Sequence, residues 1–259
     1  MPRFAANLSM MFNEVPFLDR FALAAKAGFK AVEFLFPYDF PAAEIATRLK
    51  DTGLSQVLCN APPGDWTKGE RGMAALPGRQ GEFRDAIGKA LEYCAVLECP
   101  RLHVMAGLKP EGMAHDTMTA VYGANLAWAA EQCAKVGVKP IIEPINHRDI
   151  PGFFLNTTDQ AAAIIAAVGA DRLGMQFDLY HCQITEGDVV KRVEKHLPLI
   201  SHMQVADNPG RNEPGTGEVN WPFVFSRIDA LGFRGWIGCE YRPAGETTAG
   251  LGWFEPYKA

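Results

Sequence analysis

The sequence predicts a single (β/α)8 TIM barrel over residues 1–259, and three observations carry that expectation. Short apolar runs with period-two alternation are separated by longer runs with helical spacing, an order that builds a parallel sheet. The alternation recurs eight times within 259 residues, with no break in composition, linker or internal repeat, a length that one closed barrel fills. No G-x-G-x-x-G turn follows any strand, so the rival Rossmann arrangement lacks its phosphate-binding turn; the nearest glycine-rich piece, Gly215-Thr216-Gly217, lacks the spacing.

Taken in order, the first strand falls at residues 4–12 and its helix at 16–28, where Gly28 supplies the residue that ends a helix. Strand 31–36 precedes a helix at 41–52, opened by Pro41. Strand 54–61 leads into a long insertion, and a helix at 81–97 returns the chain to strand 101–106. A helix ending near Val136 precedes strand 139–145, and helix 158–168 precedes strand 173–180. Helix 188–196, strand 200–206, helix 221–231 and strand 236–241 follow, with the tail as a short last helix. The connections 62–81 and 208–220 are long, and long loops at barrel strand ends usually cover a site.

Composition narrows the function. With 25 Lys and Arg against 30 Asp and Glu, the net charge of -5 offers no footprint for nucleic acid or an anionic membrane. No apolar run approaches the roughly 18 residues a membrane span needs, and no basic segment precedes a long apolar one near residue 1, so a cytoplasmic location is expected. The six cysteines (Cys59, Cys94, Cys99, Cys133, Cys182, Cys239) contain no C-x-x-C pair and read as free, mostly buried thiols.

Side chains on a strand alternate inward and outward, so an acid inside an apolar run can be assigned a side. Placing Glu143 inside sends Ile142 and Pro144 toward the helices, and placing Glu240 inside sends Ile237, Cys239 and Tyr241 outward. The same reasoning turns Asp178 inward with Met175 and Phe177 outward, and turns Gln204 inward. All four fall near the C-terminal strand ends, where barrels carry their chemistry. Three neighbouring carboxylates repel and are costly to bury without a cation, so the set predicts a divalent metal. All-oxygen ligands suit Mg2+, or Mn2+, better than Zn2+. Salt bridges to Arg or Lys are the competing account for any one of these acids, weakened by the clustering of four. Glu33 and Asn7 also point inward and read as a hydrogen-bonded floor or wall. His103 is ambiguous, and His115 and His196 read as surface residues.

The strings that carry this cluster are Ile142-Glu143-Pro144-Ile145-Asn146, Phe177-Asp178-Leu179-Tyr180-His181, His202-Met203-Gln204-Val205-Ala206-Asp207 and Gly238-Cys239-Glu240-Tyr241, with Pro214-Gly215-Thr216-Gly217 between the last two. They resemble the hydroxypyruvate isomerase family of the xylose isomerase-like barrels. The likeness runs from Phe4-Ala5-Ala6-Asn7-Leu8-Ser9 through Glu33-Phe34-Leu35-Phe36-Pro37-Tyr38 to Gly64-Asp65-Trp66 and Gly69-Glu70-Arg71-Gly72, covering nearly the whole chain. The 2-oxo-tetronate isomerases look closely similar. The resemblance implies that Glu143 and Glu240 are both metal ligands and the acid/base pair, that Asp178 and Gln204 complete the metal site, and that His181 and Arg211 contact substrate. In related ketose epimerases a His stands where this chain has Gln204, a departure that bears on the metal and argues against a free-sugar epimerase.

The expected reaction moves a carbonyl between adjacent carbons of a small hydroxy-oxo acid, such as hydroxypyruvate to 2-hydroxy-3-oxopropanoate, through an enediolate. A substrate carboxylate asks for an Arg, and Arg211 and Arg71 sit in the two long loops; Arg148 and His147 are weaker candidates. The loop at 62–81, with Gly64, Gly69, Gly72, Gly78 and Gly81 as hinges and Trp66 and Met73 as cover, reads as a lid. A barrel-type endonuclease that cuts abasic DNA is the distant alternative, and it would need zinc ions and many more than the six His present. Of these only His103 and His202 point inward. A barrel that binds a sugar acid without turning it over is a third reading. Self-association into a homo-oligomer is left open.

Overall fold

A computed structural model of the protein describes residues 1–258. Eight parallel strands close into a barrel in chain order: β1 (Arg3–Asn7), β2 (Ala31–Glu33), β3 (Ser55–Asn60), β4 (Arg101–His103), β5 (Lys139–Ile142), β6 (Gly174–Asp178), β7 (Ile200–Gln204) and β8 (Trp236–Cys239), with β1 pairing β8. Around it run α1 (Arg20–Lys26), α2 (Ala42–Thr52), α3 (Gln80–Val96), α4 (His115–Ala134), α5 (Thr158–Val168), α6 (Leu179–Thr185), α7 (Val189–His196) and α8 (Trp221–Ala230). A ten-residue 3-10 helix, Thr248–Tyr257, ends the fold and packs Trp253, Phe254 and Tyr257 edge-on against Phe4 of β1. No helix among the described residues is long and apolar enough to cross a membrane.

Three differences from the sequence reading have local causes. β1 stops at Asn7 rather than reaching residue 12, because the Met10 and Met11 amides fold back onto the Asn7 carbonyl at 3.1 and 2.8 Å and Phe12 takes a φ of 57°. α6 was not expected: it starts directly on β6 with no glycine or proline between them, capped by Asp178, whose Oδ1 accepts the Tyr180 amide at 2.8 Å. His196, expected on the surface, is only 3% exposed, with Nε2 3.0 Å from Asp159. His115, by contrast, is exposed at the start of α4.

The apolar core lies mainly between barrel and helices, and it includes the outward residues Ile142, Met175, Phe177, Ile237, Cys239 and Tyr241. Inside, the N-terminal end is closed by Ala5, Ala31 and Val57 against Trp236. Arg101 seals this floor by donating across the barrel to the Ser201 carbonyl at 2.8 Å and, on neighbouring β3, to the Val57 carbonyl at 3.4 Å. Above the floor the interior is polar rather than filled by branched apolar side chains: Asn7, Glu33, His103, Gln176, His202 and Gln204 are all buried there. All six cysteines are free and buried, as expected, and Cys59, Cys94 and Cys99 gather behind β3, where Cys59 and Cys94 sulfurs are 3.7 Å apart.

Candidate active site

The inward parity assigned to the strand ends brings the Glu143, Asp178 and Glu240 side chains together, with Gln204 on the inner wall beside them. Asp178 and Gln204 stand opposite one another in the β6–β7 register, and Gln204 stands opposite Gly238 in β7–β8. Glu143 and Glu240 follow the last residues of β5 and β8 directly. Glu143, Asp178, Glu240 and His181 of α6 each offer an atom within 4.8 Å of the others, all of them buried. α6 thus carries His181, three residues after Asp178, into the cluster, with Nε2 3.6 Å from Asp178 Oδ2 and 3.9 Å from Glu143 Oε1.

Burial dominates the electrostatics. It pushes the Glu143 carboxyl well above the usual range, and the neighbouring Glu240 and Asp178 charges push the same way. Burial also lifts Glu240 to about 8 and Asp178 to about 6, in each case against the opposing charge of Arg211. Glu143 Oε1 and Asp178 Oδ2 have no hydrogen-bond partner among the described residues. Two orphaned carboxylate oxygens facing one point, with three acids competing for one guanidinium, fit a hard divalent cation. Glu143, Asp178 and Glu240 could hold it, with Gln204 beside Asp178 in the strand register.

Arg211 lies in the β7–α8 loop at a φ of 58°, and its guanidinium bridges Glu240 Oε2 at 2.6 Å and Asp149 Oδ2 at 2.7 Å over the face of Tyr180. Its Nε is buried without a hydrogen-bond partner among the described residues. His181 is held as a neutral donor. The Asn146 Oδ1 accepts the Asp149 amide at 2.8 Å, which turns the Asn146 amide nitrogen onto His181 Nδ1 at 2.5 Å and leaves the ring proton on Nε2. Burial, then the Arg211 charge, drives the affinity of this imidazole for a second proton well below its ordinary level. His103 is buried as well, its Nδ1 3.6 Å from Glu143, and burial takes it down to about 3.

Gln204 is on the inner wall as expected, but its carboxamide is engaged on both sides, donating to Glu33 at 2.8 Å and accepting from Gln176 at 2.5 Å. Asn7 also donates to Glu33, at 2.9 Å, so these two do form the hydrogen-bonded wall expected of them. Asn146 ends the string that carries Glu143 and Gln176 directly precedes the one that carries Asp178, and neither was given a role; the parity that selects Asp178 also selects Gln176, two residues earlier on the same face.

A cavity of about 860 Å3 opens above the cluster, and Trp66, Arg71, Arg148 and Arg211 are among its lining residues. Arg71 stacks on Trp66 at 3.8 Å and donates to the Trp66 and Glu70 carbonyls. His147 and Arg148 are exposed, and His147 is not among the cavity's lining residues. The loop is less free than five glycines suggested. Gly81 is inside α3, residues 72–75 are buried, and the Ala75 amide bonds the Ala106 carbonyl at 2.8 Å, so the stretch that is not buried runs over residues 64–71.

Comparison with known proteins agrees with this architecture. The family model described as "Xylose isomerase-like TIM barrel" matches residues 21–257. A 2-oxo-tetronate isomerase of Cupriavidus necator is 57% identical over 257 residues, 99% of each chain. A hydroxypyruvate isomerase of Escherichia coli K12 is 45% identical over the whole of both chains. A crystal structure from Brucella melitensis, described as an AP endonuclease of family 2, superposes with a TM-score of 0.98 at 50% identity and full coverage of both chains. The chain is therefore an isomerase, and it belongs to the xylose isomerase-like TIM barrel family, among the hydroxypyruvate and 2-oxo-tetronate isomerases.

Proposed function

We propose that this isomerase interconverts hydroxypyruvate and 2-hydroxy-3-oxopropanoate through an enediolate, with Glu143 and Glu240 as the acid/base pair and a divalent ion, Mg2+ or else Mn2+, held by Glu143, Asp178, Gln204 and Glu240. The observation that carries the reading is the pair of orphaned oxygens, Glu143 Oε1 and Asp178 Oδ2, inside a buried cluster of three carboxyls. Bound there, the ion supplies Lewis-acid stabilisation of negative charge on the substrate oxygens. One Glu takes the proton from the carbon beside the carbonyl, and the other returns a proton to the neighbouring carbon, so no redox cofactor is consumed. The Nε2 proton of His181 is directed at the same space and donates to a substrate oxygen. Arg211, already paired with Glu240, and Arg71 at the cavity mouth receive the substrate carboxylate.

A second reading, 2-dehydrotetronate to 3-dehydrotetronate, is favoured by the 57% relative and by a cavity of about 860 Å3, which admits a four-carbon acid. The name of the Brucella structure does not shift the reading, because multi-zinc chemistry wants His ligands and the cluster offers one. The partner is a small hydroxy-oxo acid in a chain working in the cytoplasm; nothing in its charge suits nucleic acid or a membrane surface.

Proton NMR in D2O with hydroxypyruvate and a panel of oxo-tetronates decides between the substrates, because only the true one gains carbon-bound deuterium. Chelation with EDTA should abolish turnover, and Mg2+ or Mn2+ should restore it. Full activity in metal-analysed, chelated protein would remove the ion from the reaction.

A further inference from the structure

We infer that Glu33, which touches none of the three clustered acids in a direct hydrogen bond among the described residues, is the positioning residue that presents the oxygen end of the Gln204 carboxamide to the β6 side of the barrel, where Asp178 stands, for the cation; this rests on the ligand set proposed above. Glu33 ends β2 and is 1% exposed. Its Oε1 accepts from Asn7 Nδ2 at 2.9 Å and from Gln204 Nε2 at 2.8 Å, while Oε2 lies 2.6 Å from His202 Nε2. A carboxylate oxygen is an acceptor, and the one that takes Asn7 Nδ2 also takes the nitrogen end of the Gln204 amide. The oxygen end is thereby turned the other way, onto Gln176 Nε2 at 2.5 Å, on the strand that carries Asp178 two residues further along.

The space for this carboxylate is built in. A Cβ on Gly238 would lie 2.1 to 2.2 Å from the Glu33 carboxylate atoms, so glycine at that register position of β8 is what lets Glu33 reach Gln204. A neutral amide at position 33 has both a donor and an acceptor end and no longer prefers either face of Gln204. Groups that orient metal ligands in this way are worth roughly ten- to a hundredfold in metal affinity.

The test measures Mn2+ binding to the full chain by electron paramagnetic resonance for the wild type, Glu33→Gln, Gln204→Ala and the double variant, with circular dichroism to verify folding. Glu33→Gln should weaken Mn2+ about ten- to a hundredfold and recover most of kcat at saturating Mn2+. In the Gln204→Ala background the same change should add little, since the residue it orients is gone. Unchanged affinity in Glu33→Gln, or an equal loss in both backgrounds, overturns the proposal while leaving the ligand set intact. Wild-type affinity in Gln204→Ala instead removes Gln204 from the ligand set, a separate failure that takes the proposal with it. If Glu33→Gln does not fold, Glu33→Asp keeps the charge but shortens its reach; it should bind Mn2+ several-fold more weakly, and wild-type affinity there overturns the inference.

Discussion

At the scale of single residues, the two glutamates differ in surroundings although they share a cluster. Glu240 is clamped by Arg211, whereas the imidazoles of His103 and His181 lie 3.6 and 3.9 Å from Glu143. Under the proposed chemistry, Glu143→Gln and Glu240→Gln should each fold normally and lose several orders of magnitude in kcat, because an amide can still reach the ion but cannot take a proton. Near-normal turnover in either variant, measured beside an unchanged melting curve, would strike that residue from the pair. Glu143, Asp178, Gln204 and Glu240 were legible in the sequence because a polar side chain in an apolar strand has only two sides to choose from, and one is forbidden. The state of each residue was not. Which face of Gln204 looks where depends on Glu33 and Gln176, from strands 171 and 28 residues away, and the His181 tautomer depends on Asn146 and the Asp149 amide. Contacts of that kind leave no local periodicity.

Among the elements, the connection from β3 to α3 is the one the structure changes most. Its Met73, Ala74 and Ala75 are buried, while Trp66 stands 41% exposed and carries Arg71 stacked upon it, so the buried and exposed parts divide near Gly72. Gly72 has a φ of 105°, and a Cβ there would come within 2.4 Å of the Met105 carbonyl oxygen. Gly53, which ends α2 at a φ of 68°, has nothing within 4 Å of such a Cβ. Gly53→Ala should therefore cost about 1 kcal/mol for its backbone alone, and Gly72→Ala about 1 to 3 kcal/mol more; urea unfolding of both variants checks the order, and equal losses would mean the junction yields. Arg71→Ala should weaken a carboxylate-bearing substrate by roughly 1.5 to 3 kcal/mol while sparing a neutral analogue such as dihydroxyacetone. Equal losses for both ligands would leave the loop without carboxylate recognition. Strand and helix order was readable because apolar periodicity is local. α6 was not, because the helix begins on the strand's own last residue and no turn residue separates them.

For the molecule as a whole, the barrel is divided along its axis. Its N-terminal floor is apolar and tied by Arg101, while its C-terminal half concentrates acids that repel one another. That division makes stability depend on pH and on the ion together. Glu240 is raised from 4.5 to about 8 and Asp178 from 3.8 to about 6, so the folded, ion-free protein binds more protons than the unfolded chain between those values. A carboxyl raised on folding contributes stability that is full below its unfolded value and lost as the pH climbs toward the folded one. The ion-free protein should therefore lose stability from about pH 4 to pH 8, where the acids are forced to ionise in a buried site. A divalent ion acts in the opposite sense, since it competes with those protons and binds best when they have left. At a hundred times its dissociation constant, an ion that binds only the folded state adds about 2.7 kcal/mol. For a chain of this length that corresponds to a rise in Tm of roughly 5 to 10 °C. Scanning calorimetry with EDTA or with a fixed excess of Mn2+ should then show little difference at pH 5 and a rise of that size at pH 8. An equal rise at both pH values would mean that the ion does not displace the protons held by this cluster, and no rise at either would mean that the folded protein does not bind it preferentially.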